Sequence, residues 1–320
     1  MIRMVRAAAP GDPAPRHREF VALGARCFTR VSYPEWGSSA AERTVVCGHG
    51  LTRNGRDFDF IAQRLARAGM RVIAPDLPGR GRSEPMRDWH EYATPLYLSV
   101  MSGLIARLDV EHVDWIGTSL GGHIGMELAA LPGAPIRRLV LNDFGARVAA
   151  RALQRISAYL NADAGRRFAS IEAVEEHLRE ILAPFGTLTA EQWRHMAVHG
   201  SIDAGNGELR LNHDPSISKM FWWPMLLDIV LWHVWDKVAC PTLILRGVDS
   251  DLLSADTVRQ MTRRGAAAEK GLVRHVEIPD CGHAPALMDD AQAEIVKAFL
   301  SAEDVRSGGA EPRAAQGGGG

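Results

Sequence analysis

Short runs of β-branched and apolar residues alternate with longer segments of helical period along most of this chain, and that alternation leaves few folds open. The runs are Thr44-Val45-Val46-Cys47, Arg71-Val72-Ile73-Ala74, Val113-Asp114-Trp115-Ile116, residues 136–141, Thr242-Leu243-Ile244-Leu245 and residues 272–278. Helical patterns fall near 58–68, 93–108, 120–130, 255–262 and 291–300. A strand followed by a helix and then another strand must cross over, which predicts an α/β fold with a mainly parallel sheet between helices. Residues 20–33 read as an initial hairpin. With 320 residues, 46% of them hydrophobic, the chain can bury one large core and still carry an insertion.

The texture changes between residues 144 and 236, where helical stretches near 149–160 and 171–182 appear without a strand of core type. The expected division is a flexible N-terminal segment over 1–19, a core made of 20–143 and 237–301, an inserted helical cap over 144–236 and a disordered tail over 302–320. The cap segment holds Trp193, Phe221, Trp222, Trp223, Trp232 and Trp235, enough to wall a hydrophobic pocket, although each is equally well explained by packing.

Charge excludes some partners. The 37 basic residues nearly cancel the 38 acidic ones without a long run of one sign, which gives no footprint for nucleic acid or an anionic membrane. Cys27, Cys47, Cys240 and Cys281 form no C-x-x-C pair, so neither a zinc site nor a dithiol redox site is expected, and free thiols fit a reducing compartment. The N-terminus lacks the continuous apolar stretch of a secretory signal, and no window approaches a membrane span. A cytoplasmic protein acting on a small molecule is the expectation, with its oligomeric state open.

The chemistry centres on Gly117-Thr118-Ser119-Leu120-Gly121, a G-x-S-x-G sequence between a predicted strand and a predicted helix. A sharp turn there lifts a serine clear of the sheet, with small flanking residues relieving the crowding. A serine hydroxyl is a weak nucleophile, so it needs a base, and the base needs an acid to fix its tautomer. His283, in Cys281-Gly282-His283-Ala284 just past the last predicted strand, is the candidate base. Asp249 and Asp251, in the loop after the strand at 242–245, are candidate acids of identical chemistry. Asp143, at the end of the strand at 136–141, is a third. Backbone N–H groups must meet the negative oxygen of a tetrahedral intermediate, and those of Leu120 and Leu51 are the candidates. Arg53 is a candidate contact to a polar or anionic substrate group, and Trp222, Trp223 and Trp232 are candidate pocket residues.

Three separated features carry a family resemblance: His49-Gly50 after an early strand, the D-x-x-G-x-G-x-S loop from Asp76 to Ser83, and the serine turn followed in order by acid and Gly282-His283. Together they make the chain resemble the α/β-hydrolase superfamily, in particular its capped esterase-like and lactonase-like members, over residues 20–300. The resemblance implies an eight-stranded, mainly parallel sheet flanked by helices, a helical cap, and neither metal nor organic cofactor. Arg246-Gly247 followed by Ser250-Asp251-Leu252-Leu253 resembles a bacterial subset in which the second aspartate is the acid, which ranks Asp251 first. Ser119 in place of the aspartate of haloalkane dehalogenases implies acyl chemistry. Hydrolysis of a small or medium carboxylic ester is the first expectation. Carbon–carbon hydrolysis of a dienone or β-diketone, and a non-catalytic receptor on the same fold, are the alternatives.

Overall fold

The computed structural model describes residues 14–221 and 226–302. Its main sheet is built from β1 (Arg16–Leu23), β2 (Phe28–Trp36), β3 (Thr44–Gly48), β4 (Arg71–Ile73), β5 (Val113–Thr118) and β6 (Ile136–Asn142). The segment that follows adds β7 (Arg147–Val148), β8 (Ser201–Gly205), β9 (Glu208–Leu211) and β10 (Ile229–Val230), after which β11 (Thr242–Gly247) and β12 (Val273–Ile278) complete the main sheet. The eight strands lie in the order β1-β2-β4-β3-β5-β6-β11-β12, antiparallel at β1–β2 and β2–β4 and parallel from β4 onward.

The crossovers are made by α1 (Asp59–Arg67), α2 (Thr94–Arg107) and α3 (Leu120–Ala129), and the segment after β6 carries α4 (Ala150–Asp163), α5 (Ile171–Ile181), α6 (Ala190–His199) and α7 (Trp232–Trp235). The chain ends with α8 (Ala255–Met261), α9 (Ala266–Glu269) and α10 (Asp290–Ser301). The central strands read as unbroken apolar runs because helices cover both faces. Val46, Trp115, Leu139 and Leu141 join α2 and α3 on one side, while Val45, Cys47, Ile116 and Val140 pack with α1 and α10 on the other.

Two stretches depart from expectation. β1 begins at Arg16, inside the segment expected to be flexible, and pairs Arg16 with Glu35 and Glu19 with Ser32. Its first four residues face solvent, so the strand has no apolar alternation to announce it. Residues 1–13 and 303–320, which hold the rest of that segment and nearly all of the expected tail, lie outside the described residues. The segment between β6 and β11 is largely helical, yet it also holds the hairpin β8–β9 and the short pair β7–β10. Asn206 and Gly207 turn that hairpin with φ of 57° and 79°, the left-handed pair that a two-residue hairpin loop demands. A separate apolar cluster, including Val174, Leu178, Trp193, Met196 and Leu211, holds α5, α6 and β9 together.

Candidate active site

β5 delivers Ser119 to the carboxyl edge of the sheet at φ 52° and ψ −112°, a left-handed conformation that serine adopts only when its surroundings enforce it. Two close approaches do so. A Cβ on Gly117 would meet the Gly121 carbonyl oxygen at 2.3 Å, and one on Gly121 would meet the Gly48 oxygen at 1.9 Å. Only glycine lets β3, β5 and the start of α3 come this near.

His283 follows β12 and bridges two partners. A carboxylate can only accept, so His283 Nδ1–H donates to Asp143 Oδ2 at 2.6 Å, and Nε2 is left to accept from the Ser119 hydroxyl at 2.9 Å. The acid in contact with His283 is therefore Asp143, the third of the sequence candidates. Asp143 is fully buried, and it also accepts from the Gly247 N–H at 3.1 Å and the Ser250 hydroxyl at 2.6 Å. It follows β6 directly, at φ 53°, and the Ser119 N–H donates to the carbonyl of its neighbour Asn142 at 3.0 Å.

The aspartate ranked first from sequence points elsewhere. Asp251 takes both carboxylate oxygens to Arg155 on α4, at 2.7 Å and 2.9 Å. Its carboxyl lies below the usual range, because partial burial, which raises it, is outweighed by the Arg155 guanidinium. Asp249 is exposed, and its backbone N–H is held by the Cys281 carbonyl. Ser250 marks the difference: its hydroxyl binds Asp143 and also accepts from the Leu252 and Leu253 N–H groups, which folds the loop with neither flanking aspartate hydrogen-bonded to the imidazole among the described residues.

The loop after β3 runs beside Ser119, so that a Cβ on Gly50 would stand 4.0 Å from the serine Cβ. His49 holds this loop, its Nδ1–H on the Gly50 carbonyl at 2.7 Å and its Nε2 accepting from the Leu77 N–H at 2.8 Å. The Gly121 N–H binds the His49 carbonyl, and Arg80 Nε donates to the Leu51 carbonyl at 2.9 Å. Leu120 opens α3, where backbone N–H groups have no intrahelical acceptor. Arg80, buried between Tyr92 and Tyr97, was not among the sequence candidates, although it lies inside the glycine-rich loop that drew attention. Asp76 in that loop accepts from the Gly55 and Arg82 N–H groups, and burial pushes its carboxyl up to about 6.

Burial pushes the His49 imidazole down to about 3. The folded protein holds it neutral whereas the unfolded chain takes up a proton near pH 6.5, so this stabilisation is full above pH 6.5 and is lost progressively toward pH 3. At pH 5 the loss is about 2 kcal/mol. Asp76, protonated earlier in the folded state, offsets about 1 kcal/mol over the same window. We expect thermal melts to show a lower Tm at pH 5 than at pH 7, and His49→Asn to be less stable at pH 7 with a shallower decline. An equal decline in the variant would remove His49 from the account.

A family model described as "Alpha/beta hydrolase family" matches residues 45–298. The chain belongs to the alpha/beta hydrolase family. Among curated proteins it is similar to the 3-hydroxybutyrate-oligomer hydrolase of Cupriavidus necator, 44% identical over 280 residues, which cover 85% of this chain and 93% of the relative. It is also similar to the 2-(acetamidomethylene)succinate hydrolase of Mesorhizobium japonicum, 29% identical over 215 residues, covering 67% and 74% of the two chains. Among solved structures, a hydrolase from Rickettsia typhi superposes with a TM-score of 0.81 at 30% identity over 89% of this chain and 98% of its own.

In this alpha/beta hydrolase the space around Ser119 and His283 is lined from below by Gly50, Leu51, Thr52 and Arg53. From the segment after β6 come Arg155, Ile156, Tyr159, Ile181, Leu182 and Phe185. The Trp-rich wall expected from sequence is not what lines it among the described residues. Trp232 packs elsewhere, under the Arg264 guanidinium, because its position on α7 places it beside the core. Trp222 and Trp223 lie outside the described residues. Arg53 lines the space but is engaged by Asp57 at 2.8 Å and 2.7 Å. Arg155 and Tyr159 lie one helical turn apart on α4, an amphipathic helix whose sequence gave no sign of which polar residue meets the site.

Proposed function

We propose that this chain is an ester hydrolase working through an acyl-Ser119 intermediate, with esters of short hydroxy acids, 3-hydroxybutyrate oligomers first among them, as its substrates. The observation that carries the reading is the unbroken hydrogen-bonded chain from Ser119 through His283 to Asp143. His283 takes the Ser119 proton as the hydroxyl attacks the ester carbonyl, and Asp143 stabilises the imidazolium that forms. The oxyanion is met by the Leu51 and Leu120 N–H groups. His283 then protonates the departing alcohol, and a water activated by the same imidazole releases the acid. The segment at 144–236 acts as a cap whose α4 and α5 close the pocket. The substrate class comes from the Cupriavidus relative, whose similarity covers nearly its whole length. Among the described residues no helix is long and apolar enough to cross a membrane, and a cytoplasmic setting fits small released oligomers.

The test is a panel of 3-hydroxybutyrate dimer and trimer, p-nitrophenyl butyrate and a dienone acid, with monomer or chromophore release followed by chromatography. Monomer release from the dimer and trimer is expected. If esters stay intact while the dienone is cleaved, carbon–carbon hydrolysis replaces the proposal, a reading the Mesorhizobium relative keeps in view. If a fluorophosphonate fails to label Ser119, the chain is a binding protein instead.

A further inference from the structure

The cavity at Ser119 and His283 is lined by two guanidinium groups that differ in what they have left to offer. Arg53 is only 5% exposed, with Asp57 across one edge and the Met196 carbonyl at 3.4 Å. Arg155 is 36% exposed and binds Asp251 through Nε and Nη2 alone. A guanidinium has more than one edge that fits a carboxylate, and Arg155 Nη1 has no partner among the described residues. The other titratable groups lining the cavity do not compete for it. Asp57 is held by Arg53, both ring nitrogens of His49 are taken by backbone groups, and His283 is bonded to Asp143 and Ser119. Tyr159, one turn along α4, has its hydroxyl paired with that of Thr52.

We propose that Arg155 is a subsite for the free carboxylate of the substrate, and that Asp251 is a positioning residue that steadies the guanidinium from its other edge. The inference rests on the hydroxy-acid reading above. In a 3-hydroxybutyrate dimer, the half that leaves as the alcohol carries the carboxylate three bonds from the ester oxygen. A cation in the same cavity as the nucleophile can therefore engage it while the carbonyl faces Ser119. The contact selects chain ends over the interior of a long polyester, because an interior ester has no charge within that reach. No covalent step passes through Arg155.

The experiment compares the 3-hydroxybutyrate dimer acid with its methyl ester for the wild type, Arg155→Met, Arg155→Lys and Asp251→Asn. It also measures inhibition of p-nitrophenyl butyrate hydrolysis by 3-hydroxybutyrate and by its amide. The wild type should prefer the acid, and Arg155→Met should shrink that preference by about 10- to 100-fold, mostly through KM. Arg155→Lys should restore part of it. Asp251→Asn should keep the preference, since the cation remains, while loosening KM for the acid. The inhibition by 3-hydroxybutyrate should exceed that by the amide, and only with Arg155 present. If acid and methyl ester fall equally in Arg155→Met, or the wild type shows no acid preference, the subsite is wrong. If the wild type cleaves neither dimer but is still inhibited by the carboxylate in an Arg155-dependent way, the substrate reading fails and the subsite stands.

Discussion

Ser119→Ala is expected to lower kcat for every ester substrate by on the order of 10⁵ to 10⁶, because it removes the hydroxyl that Nε2 of His283 is placed to activate. The residual rate would come from the polarising N–H groups of Leu51 and Leu120. The fold should tolerate the change, since the hydroxyl makes no other side-chain contact among the described hydrogen bonds and the strained turn is enforced by the glycines around it. Steady-state kinetics with p-nitrophenyl butyrate, beside a thermal melt, separate the two. A folded Ser119→Ala variant with more than a few per cent of parental activity would move the nucleophile elsewhere.

The second large effect distinguishes the aspartates. Asp143→Asn keeps the volume but gives the imidazole an amide that can donate, which stabilises the tautomer with its proton on Nε2 and leaves Ser119 without a base. A loss in kcat of about 10³ to 10⁴ is expected. Asp251→Asn breaks the ion pair with Arg155 but leaves the bond between His283 and Asp143 in place, so its loss on p-nitrophenyl butyrate should stay within about tenfold. If the two variants changed places, the acid would be Asp251 after all, and the loop after β11 would have to refold in the working enzyme.

The sequence carried the fold because parallel strands buried on both faces leave runs that little else produces. Ser119 and His283, which the structure brings to 2.9 Å of each other, could be singled out because each lies past a predicted strand with glycine within two residues. The carboxylate that meets His283 was not legible. Asp143, Asp249 and Asp251 are chemically identical and all follow core strands, and what separates them is one hydroxyl, that of Ser250, whose bonds no pattern reveals. The β8–β9 hairpin had an audible cue in Asn206-Gly207, masked by the helical texture on either side. Arg155 had none: on α4 it is one of several arginines, and only the cavity singles it out.

The backbone bond from Ser119 to Asn142 joins the proposed nucleophile's residue to the one preceding its proposed acid, across neighbouring strands of the sheet. On the proposed mechanism, seating the acid there rather than after β11 releases the 249–253 loop from duty at the imidazole. That loop, with Arg155 opposite, can then vary as lineages meet new substrates without disturbing the chemistry, so diversification in this branch should accumulate at Asp251 and α4 while Asn142 and Asp143 stay fixed.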